Sequence, residues 1–215
     1  ISLSKGEGVE APKLNPTFAD DDLAYAEGLK IGVKLIGEIV GKSERAAELV
    51  DFAFANRKRV EERVAKIADA DRVRLYMANP KMSTYGSGKY TGVIMKRSGG
   101  INVAAGVRGS TKVSMEDVLA WNPQVIFVQD RYAPVADEIR QGAAWREVDA
   151  VKNSRIYITP EYVKPWGYPL PEALALGELW MAKKLYPEQF ADIDMQKEVD
   201  AFYTKFYGQP YSGPH

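Results

Sequence analysis

The chain has 215 residues, 46% of them hydrophobic and 27% charged, the make-up of one folded domain or two small ones. Its 29 basic and 29 acidic side chains cancel, which excludes the basic footprint of a nucleic-acid binder. With no cysteine, and a single histidine at the last position, His215, it excludes disulfides, thiol chemistry, Ser-His-Asp triads and histidine-based zinc sites within the chain.

Residues 1–17 carry Gly6, Gly8, Pro12 and Pro16 among polar side chains and read as a linker, with Ile1-Ser2-Leu3 as the stub of a strand. Ile1 is not a natural start and no signal peptide is visible, so the chain reads as processed or truncated. Asp20, Asp21 and Asp22 suit a helix N-terminus, and Leu23, Ala26, Ile31, Leu35 and Ile39 set an apolar stripe for the helix that follows. Gly41 ends it and Ser43 caps the next. The periodicity of that second helix runs to Ala68, with Ala46, Leu49, Val50, Ala53, Val60, Val64 and Ile67 turned inward and Arg57 outward. Such a helix would be about 39 Å long, enough to bridge two lobes.

After Asp71 the period changes. Val73-Arg74-Leu75-Tyr76-Met77 alternates as a strand does. Gly86-Ser87-Gly88-Lys89 lacks the glycine at position 83 and the Ser or Thr at position 90 that a phosphate-binding loop requires, and reads as a flexible loop entering a helix near Thr91. Gly99-Gly100 supplies a left-handed helix stop. Ser114 caps a helix over 115–121, with Asp117 at the capping-box position. Val125-Ile126-Phe127-Val128 is a continuous apolar run, the mark of a buried central strand. A short helix over 134–141 and a strand from Arg155 to Thr159 follow, and helices over 171–185 and 194–207 close the chain. The alternation predicts an α/β fold with a largely parallel sheet flanked by helices over 71–215, preceded by a helical segment, 19–70, and a linker, 1–18. No apolar run approaches the roughly 20 residues of a membrane span.

Ligands of open α/β sheets collect beyond the carboxyl ends of the strands. Segments 79–90, 129–132 and 161–168 bring Tyr85, Tyr90, Arg131, Tyr132, Tyr162, Lys164, Trp166 and Tyr168 to that end, and Tyr85, Arg131, Tyr132, Tyr162, Trp166 and Tyr168 are expected to share one face. Aromatics with a few cations suit a bulky ligand with an anionic or chelated face. Asp130 and Glu161 also follow strands, and a carboxylate-based enzyme would be built on them. The absence of an internal histidine, a cysteine or a recognisable nucleophile argues for binding without chemistry. A third reading is an interaction domain that dimerises through residues 43–68.

Several stretches, in order, carry a resemblance. They are Ser98-Gly99-Gly100-Ile101-Asn102-Val103-Ala104, Val113-Ser114-Met115-Glu116-Asp117-Val118-Leu119, Asn122-Pro123-Gln124-Val125-Ile126-Phe127-Val128, the segment from Trp145 to Tyr157, and the ending from Leu179 to Glu188. Upstream, Ile36-Gly37-Glu38-Ile39-Val40-Gly41-Lys42 and Glu44-Arg45-Ala46-Ala47-Glu48-Leu49 belong to the same pattern. Over residues 30–208 the chain resembles the class III periplasmic binding proteins of the iron-siderophore, haem and cobalamin importers. The resemblance implies two α/β lobes joined by one long helix, with this chain supplying the interlobe helix and the C-terminal lobe, and the N-terminal lobe absent. It implies an extracytoplasmic protein, periplasmic or membrane-anchored, that touches the membrane only through the permease or a lipid anchor outside this chain. Its function would be capture of a ferric siderophore, corrinoid or haem and delivery to an ABC permease, without catalysis and without a cofactor. Haem is least favoured for want of an internal histidine. The alternative within the family is a molybdate or tungstate oxyanion. The resemblance also implies an acidic side chain on each lobe that docks the permease; here Glu138 is the first candidate and Glu116 the second.

Overall fold

The computed structural model describes residues 21–163 and 166–213, so the expected linker and strand stub at the N-terminus lie outside the described residues. The first helix, α1, spans Asp21–Ile39. Its packed face is not the expected stripe: Ala26 and Leu29 are buried with Tyr25 and Val33 against the core, while Leu23, Ile31 and Ile39 stand exposed. The close approach of the next helix decides this rotation. A Cβ on Gly37 would sit 2.4 Å from the Cβ of Ala46, so the small-residue side of α1 faces its neighbour.

That neighbour, α2, spans Ser43–Val64 and stops short of the expected Ala68. Ala46, Val50, Ala53, Val60 and Val64 are buried as their spacing requires, whereas Leu49 and Ile67 are half-buried. Arg57, expected outside, is buried together with Asn56. The reason is that α2 is covered on two sides, by α1 and by the helical segment near residue 175, so its buried arc is wider than one apolar stripe. The Asn56 amide is satisfied there by donating to the Ala175 carbonyl at 3.0 Å.

The α/β part then runs β1 (Arg74–Ala78), β2 (Ser83–Tyr85), α3 (Tyr90–Arg97), β3 (Ile101–Asn102), β4 (Ser110–Lys112), α4 (Met115–Trp121), β5 (Val125–Val128), α5 (Pro134–Gln141), α6 (Asp149–Lys152), β6 (Ile156–Ile158), α7 (Glu178–Leu185) and α8 (Met195–Tyr207). A wider helical turn, Ala173–Gly177, leads into α7. The main sheet is parallel in the order β3-β1-β5-β6, and β2 pairs antiparallel with β4 in a separate two-stranded sheet. Strand alternation sends Leu75, Met77, Val125 and Phe127 into one core with α2, α3, α7 and α8. It sends Tyr76, Ala78, Ile126, Val128 and Ile156 into the other with α4 and α5. The chain signals for α4 hold in detail, because Ser114 and Asp117 form the reciprocal capping box. Gly99 (φ 88) makes the left-handed stop of α3, and a Cβ on Gly100 would lie 2.0 Å from Leu75 Cδ2, so α3 can turn back onto β1 only with glycine there. Among the described residues no helix is long and apolar enough to cross a membrane.

Candidate functional site

The chain leaves β1 for β3 on one side, then returns to place β5 on the other side of β1. The crevice between the carboxyl ends of β1 and β5 is therefore the switch point of the sheet, where α/β folds hold their ligands. Ala78 is in register with Val128, so the residues that follow, Asn79 and Gln129, emerge side by side and are buried to 5% and 1% exposure. Gln129 Nε2 donates to Asn79 Oδ1 and to Tyr85 Oη, each at 3.2 Å. Asn79 thus spends its oxygen on Gln129, while its buried Nδ2 has no partner among the described residues. An unmet buried donor costs about 1–3 kcal/mol, so it marks a position that an oxygen atom from outside the protein would satisfy.

The turn after β1 holds this arrangement. Asn79 N donates to the Ser83 carbonyl at 3.0 Å, Ser83 Oγ to the Pro80 carbonyl at 2.9 Å, and Thr84 Oγ1 to the Met77 carbonyl at 2.7 Å. Between them Lys81 (φ 59) and Met82 (φ 57) are both left-handed, a conformation that costs non-glycine residues roughly 1–2 kcal/mol each. Strain of this kind persists where surrounding bonds over-determine it, commonly beside functional sites. On the far side, Asp130 N donates to Thr159 Oγ1 at 3.1 Å and ties the end of β5 to the end of β6.

The predicted ligand residues do not share one face. Tyr85 reaches the crevice through its bond to Gln129. Arg131 is exposed, with its guanidinium 4.8 Å from the Tyr132 ring centroid, and Tyr132 packs against the α4–α5 side of the sheet. Tyr168 is exposed. Tyr90, Tyr162 and Trp166 are instead core side chains on the opposite side, at 2%, 3% and 2% exposure. The segment after β6 folds back over α7 instead of standing at the rim. Trp166 Nε1 donates to the Pro160 carbonyl at 3.0 Å, and its ring packs edge-on to Trp180. Tyr162 packs edge-on to Tyr211, and Tyr90 to Tyr25. Burial drives the hydroxyl pKa of both Tyr90 and Tyr162 upward. Lys164 lies outside the described residues. Asn79 and Gln129 are each the first residue beyond a strand, a signal the chain carries, but only the strand order makes them neighbours.

Glu116 lies exposed in the first turn of α4 and Glu138 exposed on α5. No group of three or more His, Cys, Asp or Glu side chains among the described residues could hold a metal ion.

The sequence model of the periplasmic binding protein family matches residues 12–163. The chain belongs to that family. It is 51% identical over 212 residues to the molybdate-binding protein MolA of Haemophilus influenzae, covering 98% of this chain and 60% of MolA. The solved structure of MolA bound to molybdate superposes with a TM-score of 0.84, over 93% of this chain and 62% of that one. A periplasmic solute binding protein from Veillonella parvula, 24% identical with a TM-score of 0.78, covers 87% of this chain and 58% of its own, and supports the fold alone. The chain therefore spans about 60% of the length of these periplasmic binding proteins. The family and these relatives are binding proteins, and they lend no support to the carboxylate-enzyme reading of Asp130 and Glu161.

Proposed function

We propose that this chain is the C-terminal lobe and interlobe helix of the substrate-binding component of an ABC importer, and that its ligand is a small oxyanion of the molybdate and tungstate class. The observation that carries the ligand class is the 51% identity to a molybdate-binding protein across nearly the whole chain. The crevice agrees in chemistry. Its unmet donor is a neutral amide, which suits an oxygen-rich anion that accepts hydrogen bonds. The metal-chelate ligand expected first, on the aromatic residues, loses support to the oxyanion alternative, because Tyr90, Tyr162 and Trp166 lie in the core.

Delivery requires contact with a permease. Glu138 is the proposed docking acid of this lobe and Glu116 the second candidate, since an exposed charge at a rim steers encounter and orientation more than it adds affinity. In the full-length protein with its reconstituted importer, Glu138→Ala should leave ligand affinity unchanged and lower transport, most at low salt where charges are least screened. Wild-type transport in that variant removes Glu138 from the docking surface.

The test of the ligand class is native mass spectrometry of the full-length protein from its host, followed by calorimetric titration with molybdate, tungstate, a ferric hydroxamate and haem. Saturable binding of molybdate or tungstate alone is expected. A retained chelate, with no response to either oxyanion, overturns the reading.

A further inference from the structure

The loop between β2 and α3 lacks the residues of a phosphate-binding loop, yet the fold gives it a partner. Ser87, Gly88 and Lys89 face Arg108 and Gly109 around an open cavity of about 520 Å³. The lining consists of glycines, one hydroxyl and two cations, with no carboxylate. Lys89 and Arg108 are both exposed, and neither forms an ion pair with a carboxylate among the described residues. Two like charges held on one cavity without compensation repel each other, a cost that a bound anion removes.

The frame beneath them is well tied. Ser87 N donates to the Val107 carbonyl at 2.8 Å, Gly109 N to the Ser87 carbonyl at 2.9 Å, and Gly86 N to the Gly109 carbonyl at 2.9 Å. Ser87 Oγ adds a bond to the Val107 carbonyl at 3.2 Å. Gly88 (φ 74) and Gly109 (φ 73) turn the two chain segments toward each other in left-handed conformations that side chains disfavour. These bonds fix the bases of Lys89 and Arg108, so the entropy lost on gripping an ion is confined to the two side chains.

The position is also suitable. Lys89 opens α3 with no side chain capping the helix, so the positive end of α3 adds to the same field. Because α3 follows β1, that end lies on the side of the sheet where the carboxyl end of β1 and Asn79 lie, eleven positions of continuous chain or fewer away.

We infer that the Ser87–Lys89 and Arg108–Gly109 cavity is the charge-bearing subsite of the lobe, and that it takes a compact, doubly charged oxyanion. This rests on the oxyanion reading above and assigns the charge of that ligand to Lys89 and Arg108. The contacts at the Asn79–Gln129 crevice are made by neutral amides and the Tyr85 hydroxyl, whereas this cavity is lined by two cations.

The experiment is calorimetric titration of the full-length protein with sodium molybdate and sodium tungstate, with each variant's melting temperature recorded in parallel. The Lys89→Ala/Arg108→Ala double variant should bind at least tenfold more weakly with an unchanged melting temperature. Lys89→Arg, which keeps the charge, should retain binding. Wild-type affinity should fall as sodium chloride is raised, and the double variant should show little of that dependence. If wild type binds molybdate and the double variant binds it equally well, the subsite is wrong while the oxyanion reading stands. If wild type binds neither oxyanion, the oxyanion reading fails and this inference with it.

Discussion

Arg57 and Glu178 lie 121 positions apart and form an ion pair inside the protein. Arg57 Nε donates to the two carboxylate oxygens of Glu178 at 3.1 and 3.2 Å, and Nη2 donates to Asp22 at 2.9 Å. Arg97 closes the group by pairing with Asp22 and, at 3.3 Å, with Glu61. The set joins α1, α2, α3 and α7 at one point. Removing one member of a buried pair typically costs about 3–5 kcal/mol, because the partner left behind must stay charged and unpaired or take up a proton. Arg57→Ala is therefore expected to lower unfolding stability by about that much. Arg57→Asp, which the expected exposure would make harmless, should cost more, because it sets a third carboxylate against Asp22 and Glu178. Urea unfolding of the two variants checks this, and a loss below about 1 kcal/mol in both would show that the pair is energetically idle.

Burial pushes the Glu178 carboxyl up to about 7, with Arg57 and Arg97 pulling it back only in part. A carboxyl whose folded pKa exceeds its ordinary 4.5 binds protons preferentially in the folded state between those two values. Its contribution to stability is then full below the lower value and declines as pH rises through the window. Glu178→Gln removes that decline. Melting temperatures across the window should fall with rising pH in wild type relative to Glu178→Gln. Parallel profiles would mean that Glu178 does not titrate there.

Leu49 and Leu179 separate two kinds of burial. Leu179 is fully enclosed, so Leu179→Ala should cost about 2–5 kcal/mol. Leu49 is half-buried at the edge of the same core, so Leu49→Ala should cost clearly less, contrary to the full value its helical spacing suggests. Chemical denaturation midpoints of the two variants give the comparison. Equal losses would show that the α1–α2 seam is tighter than its exposure indicates.

Gly86 lies where two backbones touch, and a Cβ there would sit 1.8 Å from the Val107 carbonyl oxygen. Gly86→Ala must separate the loop from its partner turn, at a cost of about 1–3 kcal/mol. The same shift moves Lys89 away from Arg108, so oxyanion affinity should fall although no charge is removed. Calorimetry on this variant, with its melting temperature measured alongside, tests the geometric half of the subsite assignment. Undiminished affinity would show that spacing between the two cations is unimportant.

The sequence alone determined what depends on neighbours along the chain. The apolar run Val125–Val128 is a buried strand as it reads, the Ser114–Asp117 box starts α4, and Gly99-Gly100 stops α3 where expected. These signals are local: a side-chain cap, a positive φ, a period of two. Tertiary structure decided what depends on which surfaces meet. Arg57 looks exposed by helical period, and only the second cover over α2 buries it against Glu178. Tyr90, Tyr162 and Trp166 look like rim residues until their segments fold onto α1, α7 and α8. Asn79 and Gln129 are ordinary polar residues in the chain, and they become hydrogen-bonded neighbours because β1 and β5 lie side by side at the switch point. Lys89 and Arg108 lie nineteen positions apart in the sequence and share a cavity because β2 and β4, which precede and follow them, pair with each other. Pairing of distant segments follows from the total area each arrangement buries, a quantity that no window of the sequence contains.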